Sequence, residues 1–178
     1  AYLIKWNAMN AARFLAEVSQ QGIGVRFARS PFHIEGQDYA AGTLIITRAD
    51  NRLSADFMHK TVSEAIKKHK VDAATVRSGM VEKGFDFGSD AVPMAAQPRV
   101  AVLSGEGTYS NSYGQVWYYL EKDLGYPFAA LPAANLGSLD LSEYDLLIMA
   151  DGGYSLDEGA AGRLSQWISK GGRLIAIG

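Results

Sequence analysis

The run Val100-Ala-Val-Leu103, which leads into a glycine-containing loop ending at Gly107, constrains the fold more than any other stretch of this chain. Four consecutive apolar residues without alternation are typical of a strand that is buried on both faces of a parallel sheet. After the loop, Val116, Leu120 and Leu124 recur every four residues, which is the spacing of one helical face. The stretch therefore predicts a strand–loop–helix unit of an α/β sheet.

Similar units follow further along the chain. Short apolar runs at residues 128–131, 144–150 and 174–177 predict three more strands. Ser112 and Ser155 are each followed three residues later by Gln or Glu, a capping-box pattern that predicts helix starts at these serines. Strands that alternate with helices through short connections predict an open, doubly wound, mostly parallel sheet of the flavodoxin-like kind.

Residues 1–90 have a different pattern and are predicted to form a smaller α/β subdomain. Helical periodicity marks residues 8–21 and 56–70, and strand-like runs occur at residues 2–6, 24–28 and 74–77, with a hairpin turning at Gly36. Between residues 84 and 97 Gly, Ser and Pro accumulate without a clear period. The sequence thus predicts a linker at residues 91–97 and a second domain at 98–178, truncated at its C-terminal end, because Gly178 follows a buried-type strand.

Composition excludes several classes of function. The net charge of −2 argues against a nucleic-acid partner or an anionic membrane surface, since either usually requires a basic stripe. No apolar run approaches the roughly 18 residues that a membrane span needs. The chain contains no cysteine, so it offers no disulfide framework, no thiolate zinc site and no cysteine nucleophile.

Ligands of open α/β sheets bind at the carboxyl ends of the strands, near the point where the strand order reverses. The predicted crevice is lined by residues that follow these strand ends: Gly105, Glu106, Gly107, Thr108, Asn135, Asp151, Gly152, Gly153 and Ser155. Backbone N–H groups in such glycine turns and at helix N-termini are suited to hold an anion or an oxyanion. In a simpler interpretation the glycines only supply tight turns and the carboxylates are solvated. Nucleotide binding has little support, because the loop lacks both the Walker Lys-Ser/Thr and the full dinucleotide fingerprint.

Two other groups of residues carry weaker signals. His33, His59 and His69 do not have the spacing of metal ligands, so no metal site is predicted. Tyr113, Trp117, Tyr118 and Tyr119 form a dense aromatic patch, for which packing is the main interpretation and a carbohydrate or peptide platform the alternative.

Three segments of the second half carry a resemblance to a known class of domain. They are the strand at residues 99–104, the strand and Asp-Gly-Gly at 144–153, and the strand at 172–178. They resemble the first strand, the oxyanion segment and the strand before the nucleophile elbow of class I glutamine amidotransferase-like domains. Active members carry a cysteine at or near the position of Gly178, with His and Glu downstream, and none of these is present. The resemblance therefore implies no amidotransferase catalysis and leaves the backbone amides around Gly152 and Gly153 as oxyanion donors.

A narrower resemblance covers almost the whole chain. Its segments, in order, are residues 2–6, 25–28, 36–46, 84–90 and 98–105. They are similar to the C-terminal region of bacterial zinc carboxypeptidase-family proteins, the carboxypeptidase A-like metallopeptidases, some of which carry an amidotransferase-like domain behind the peptidase domain. The zinc ligands of that family, a His-x-x-Glu pair and a later His, belong to the upstream domain and map onto no residue here. The resemblance implies a periplasmic or secreted parent protein, with zinc in its upstream domain and no cofactor in this fragment.

These observations predict a noncatalytic accessory fragment whose partner is the remainder of its own parent chain. It would pack against the peptidase domain, shape substrate access or mediate association, and a homo-oligomer is left open. Two alternatives remain. One is a small-molecule binding or hydrolytic module in the crevice, and the other is a degenerate amidotransferase whose nucleophile lies beyond Gly178.

Overall fold

The structure is a computed structural model that describes all residues from 1 to 178. The chain divides into two units, Ala1–Ala96 (unit 1) and Gln97–Gly178 (unit 2). Each unit has its own sheet and its own clusters of buried apolar side chains.

Unit 1 combines two helices with six short strands. Its elements are β1 (Tyr2–Ile4), α1 (Met9–Gln20), β2 (Arg26–Phe27), β3 (Phe32–Ile34), β4 (Gln37–Tyr39), β5 (Leu44–Ile46), α2 (Ala55–His69) and β6 (Ala73–Thr75). Four strands pair antiparallel in the order β2-β5-β1-β6, whereas β3 and β4 form a separate hairpin. Without that hairpin, the elements follow the β-α-β-β-α-β order of the split βαβ motif.

The central strand β1 contributes to both faces of the unit 1 sheet. Ile4 shares a buried cluster with Phe14 of α1 and Met58 of α2. Leu3 belongs to the other cluster, together with Phe32 of the hairpin. Because successive residues of a strand point to opposite faces, the helices cover one side of the sheet and the hairpin covers the other.

Residues 84–97, the stretch without a clear period, contribute to the packing of unit 1. Phe87 and Val92 are buried in the cluster on the hairpin side. The backbone N–H of Ala95 donates to the carbonyl of Val25 over 2.7 Å. A stretch without helical or strand periodicity can still have a defined structure, because its backbone groups form hydrogen bonds with the neighbouring strand region.

Unit 2 contains a parallel sheet. Its elements are β7 (Val100–Ser104), α3 (Ser110–Tyr118), a π-helical turn (Tyr119–Asp123), β8 (Phe128–Pro132), a 3-10 turn (Ala133–Asn135), β9 (Leu146–Met149), α4 (Glu158–Ser169) and β10 (Arg173–Ala176). The four strands are all parallel and lie in the order β10-β9-β7-β8. The predicted α/β class is confirmed at this level, as a mixed α/β chain with a four-stranded parallel sheet.

Strand β7 is covered on both faces, as its apolar run predicts. Ala101 and Leu103 share a buried cluster with Trp167 of α4. Val102 shares another cluster with Leu120, which follows α3. The two helices therefore cover opposite faces of the unit 2 sheet.

Strand β10 is the exception in this sheet. It pairs only with β9, and all of its residues are exposed, although the apolar sequence predicts a buried strand. Leu174 is 36% exposed and Ile175 is 46% exposed. An apolar composition shows that a strand can be buried, but it does not show which neighbour covers it.

The helices of both units are short. None of them is long and apolar enough to cross a membrane.

Candidate functional site

The candidate site lies at the carboxyl ends of β7 and β9, where the strand order of the unit 2 sheet reverses. From β7 the chain continues to β8 on one side of it, and then to β9 and β10 on the other side. The loops that leave two strands at such a point diverge to opposite faces and can leave a crevice between them. The first loop comprises residues 105–109 and the second loop residues 150–157.

Backbone contacts join the two loops at this point. Thr108 and Gly152 form an isolated antiparallel bridge. The N–H of Tyr109 donates to the carbonyl of Asp151 over 3.0 Å. The N–H of Asp151 donates in turn to the Ser112 hydroxyl over 2.9 Å. These contacts close part of the predicted crevice with the chain's own backbone.

Gly152 is the position where the two loops approach most closely. A Cβ at Gly152 would collide with the carbonyl oxygen of Gly107 and would lie 3.0 Å from the Cα of Thr108. Only glycine fits there without a shift of backbone. At Gly153, by contrast, the nearest atom to such a Cβ is the hydroxyl of Tyr109 at 3.9 Å. Gly152 thus allows the two loops to pack closely, whereas Gly153 borders open space.

Tyr154 lies in the second loop, within the segment 151–155 that the sequence places at the crevice. Its hydroxyl donates to the carbonyl of Ala150 over 2.8 Å and lies 3.3 Å from Oγ1 of Thr108, which donates to it. The tyrosine therefore links the second loop to the first.

A cavity of about 240 Å³ opens beside the joined loops. Its lining combines small residues with polar ones: Glu106, Gly107, Ala133, Ala134, Gly153, Tyr154, Ser155 and Leu156. Four of the predicted crevice residues, Glu106, Gly107, Gly153 and Ser155, thus line one cavity.

The other predicted residues lie outside this lining. Gly105 has a positive φ of 83°, and its carbonyl accepts from the N–H of Thr108 over 3.1 Å, which makes a tight turn. Asn135 ends the 3-10 turn, and its carbonyl accepts from the N–H of Ser138 over 2.8 Å. Asp151 lies beside the last strand, since a Cβ built on Gly178 would be 3.6 Å from its Oδ1. These residues shape the loops rather than the cavity.

The cavity offers hydrogen-bonding groups. Glu106 supplies a carboxylate, and Tyr154 and Ser155 supply hydroxyls. Unit 2 contains no histidine, and a serine hydroxyl is a weak nucleophile unless a base activates it. The arrangement suits the binding of a polar or cationic group better than nucleophilic attack.

Both predicted helix starts are wrong. α3 begins at Ser110, and the hydroxyl of Ser112 accepts from the second loop instead of capping its own helix. α4 is capped by Asp157, whose Oδ1 accepts from the N–H of Ala160 over 2.7 Å. At α4 a better-placed carboxylate replaces the predicted serine, because any oxygen near an unpaired N–H can satisfy it, whereas α3 has no side-chain cap.

Each histidine of unit 1 contacts a neighbour within that unit. His59 Nδ1 lies 2.7 Å from the Tyr2 hydroxyl, and His33 Nδ1 lies 2.7 Å from Asp38. His69 Nε2 lies 2.6 Å from Glu17. Burial alone would raise the pKa of Glu17, but hydrogen bonds from Lys68 and His69 outweigh it and lower that pKa. No group of three His, Asp or Glu side chains is arranged to hold a metal ion.

The aromatic patch is divided between packing and exposure. Tyr113 packs against the buried cluster that contains Leu120, so the packing prediction is confirmed for it. Tyr118 is 56% exposed, so for this residue the prediction is wrong. The Nζ of Lys122 lies 5.3 Å from the centre of the Trp117 ring, within the range of a cation–π contact.

Two larger cavities lie away from the predicted crevice. One of about 300 Å³ is in unit 2 at the amino ends of β9 and β10, and Trp167 and Arg163 line it. The other, of about 410 Å³, is in unit 1 and has three arginines in its lining. Each is assembled from segments that are distant in sequence, so no local pattern predicts it.

No protein-family model matches this chain, and no curated protein or solved structure matches it either.

Proposed function

We propose that this chain is a noncatalytic accessory region of a secreted or periplasmic zinc carboxypeptidase, and that it docks onto the rest of its parent chain through β10. The observation that carries the proposal is the open edge of the unit 2 sheet. Parallel sheets are normally covered on both faces, since their strands are apolar on both. At β10 both faces and the outer edge are open.

The exposed residues of this edge belong to both faces. Leu174 pairs in register with Leu147 and Ile175 with Ile148. Leu147 belongs to the cluster under α4, whereas Ile148 belongs to the cluster on the α3 side. Ile175 and Leu174 therefore continue two buried layers that stop at the edge. Ile177 and Ile168 add exposed apolar surface nearby, with exposed fractions of 47% and 43%.

The fold favours further protein at this edge. Numbered along unit 2, the strands lie in the order 2-1-3-4, with helices on opposite faces of the sheet. This order supports a doubly wound, flavodoxin-like sheet, and such folds carry a fifth strand beside the fourth. An added parallel strand would satisfy the unpaired backbone groups of β10, and a helix packed over it would cover Leu174 or Ile175.

Hydrogen exchange would test this docking. Amides on the outer edge of β10 should exchange quickly in the 178-residue chain and at least about tenfold more slowly in the longer gene product, since a paired strand protects them. β8 lies at the opposite edge of the same sheet and serves as the internal control. Equal exchange of β10 in both proteins would contradict the proposal.

Substitution would locate the contact. Leu174→Lys in the longer protein should restore fast exchange in β10, because it places a charge in the buried interface. Leu156→Lys is the matched control, since Leu156 is 40% exposed and lies outside β10. The accessory role also predicts that the 178-residue chain neither hydrolyses peptides nor binds zinc tightly. A stoichiometric, tight zinc isotherm would contradict it.

A second candidate function rests on the cavity of about 240 Å³ beside the loops, as a small-molecule binding or hydrolytic module. In that case Glu106→Gln should weaken a polar or cationic ligand without lowering thermal stability, because Glu106 is exposed and makes no internal hydrogen bond. Asp151→Asn should have less effect, since Asp151 does not line the cavity.

A degenerate amidotransferase has less support than these two functions. Its nucleophile would lie beyond Gly178, so no residue of this chain carries its chemistry.

A further inference from the structure

A cavity of about 410 Å³ in unit 1 has the composition of an anion site. It lies between the turn at residues 47–50 and the segments at 77–79 and 87–88. Arg26, Arg48 and Arg77 line it together with a single carboxylate, that of Asp50. Phe87, which is buried, adds an apolar wall.

Arg26 and Asp50 neutralise each other. The guanidinium donates from Nε to Oδ2 over 2.8 Å and from Nη2 to Oδ1 over 2.7 Å. These hydrogen bonds lower the pKa of Asp50 despite its partial burial, so the carboxylate is ionised. The third nitrogen of Arg26, Nη1, donates to the carbonyl of Val92 over 2.8 Å. The Arg26–Asp50 pair is therefore neutral, and the two remaining charged side chains of the lining, Arg48 and Arg77, are both positive.

Arg48 and Arg77 have no carboxylate partner. Arg48 Nη1 donates to the carbonyl of Asn51, and the guanidinium of Arg77 makes no hydrogen bond or ion pair within the protein. Glu35 is nearby, but its carboxylate accepts from the backbone N–H of Arg77 over 2.8 Å. The cavity thus presents two guanidinium groups with free donors.

The turn that carries Arg48 is held rigidly. Asn51 is only 3% exposed, and its Oδ1 accepts from the N–H of Gly24 over 2.7 Å. Its Nδ2 donates to the carbonyls of Gly24 and Thr47 over 3.1 and 2.8 Å. Thr47 Oγ1 also donates to Asp50 over 2.5 Å. A fixed turn lowers the entropy cost of placing the arginine against a ligand.

From these contacts we infer that the cavity binds a small molecule through a carboxylate or phosphate group, held between Arg48 and Arg77. The planar fork of guanidinium donors matches both of these oxyanions. The buried Phe87 wall favours a ligand with an apolar part next to the acid. This inference does not depend on the proposed accessory role, because it concerns unit 1 alone.

Titration of the full chain by ¹H–¹⁵N NMR would test the site, with inorganic phosphate and benzoate as probes and chloride at matched ionic strength as the reference. Saturable shifts of the Arg48, Arg77 and Gly79 amides are expected with at least one probe. Tighter binding of phosphate would indicate a phosphate ligand, and tighter binding of benzoate a carboxylate ligand with an apolar part. Shifts that rise linearly with both probes, as with chloride, would overturn the inference.

A matched pair of arginine variants makes the test specific. Arg77→Gln should weaken the tighter probe about tenfold or more, since a hydrogen bond to a charged group is lost. It should not change the thermal midpoint, because the side chain bonds to nothing in the protein. Arg52→Gln removes the same charge from an exposed arginine outside the cavity and should leave the affinity unchanged. Equal weakening by the two variants would show unspecific attraction and would overturn the site.

Discussion

At the scale of single residues, the contact between Arg99 and Asp145 joins β7 to the segment before β9. Arg99 donates from Nε to Oδ2 over 3.1 Å, from Nη2 to Oδ1 over 3.0 Å and from its backbone N–H to Oδ2 over 2.8 Å. The backbone N–H of Asp145 donates back to the Arg99 carbonyl over 2.9 Å. The two residues therefore fix how neighbouring strands of the sheet start.

Asp145→Asn should remove a source of stability that depends on pH. The side-chain hydrogen bond from Arg99, followed by that from its backbone, lowers the pKa of Asp145 from the ordinary 3.8 to about 2. Because the pKa is lower in the folded state than in the unfolded state, the carboxylate contributes stability above pH 3.8 that is lost as the pH falls through about 2. The variant should be less stable than the parent at neutral pH, and the difference should shrink across this acid range.

Urea unfolding at a series of pH values would measure this difference. Glu143→Gln is the control, because Glu143 is an exposed acid close by that makes no hydrogen bond. A stability difference for Asp145→Asn that stayed constant from neutral to acid pH would show that the ion pair is not its source.

At the scale of secondary-structure elements, the sequence predicts strands and helices better than it predicts their surroundings. The apolar run of β7 is informative because a strand covered on both faces has a nearly continuous series of apolar residues. The start of α4 at Glu158 is not visible in the same way, since Ser155 and Asp157 are both acceptable caps and only the chain path selects one. The backbone contact between the two loops at Gly152 also cannot be predicted from local sequence, because it depends on two segments that are far apart along the chain.

Asp157→Ala should destabilise unit 2 by about 1 kcal/mol, since it leaves the N–H of Ala160 without its capping oxygen. Ser155→Ala should change the stability by no more than about 0.5 kcal/mol, as expected for a surface substitution without an internal partner. Thermal unfolding of the two variants would separate the observed cap from the predicted one. A larger loss for Ser155→Ala than for Asp157→Ala would mean that the serine caps the helix.

At the scale of the whole molecule, each buried cluster draws its residues from one unit only. The prediction of two α/β parts came from a change in pattern along the chain. The sequence did not show that the first part is antiparallel, because the order of strands in a sheet is set by long-range pairing. Separate cores also make an energetic prediction, since substitutions in different clusters with no shared partner act independently.

Calorimetry should therefore show two unfolding transitions that respond to different substitutions. Asn51→Ala removes a buried side chain and leaves the partly buried backbone N–H and carbonyl of Gly24 without their partner, so it should destabilise unit 1 by about 1–3 kcal/mol. Leu147→Ala, which opens a cavity at a fully buried position, should destabilise unit 2 by about 2–5 kcal/mol. In units of this size about 1 kcal/mol moves a thermal midpoint by roughly 4–8 °C, so each variant should shift one transition clearly and leave the other in place. A single transition that both substitutions lower would show that the two units unfold as one cooperative structure, and their stabilities would then be coupled.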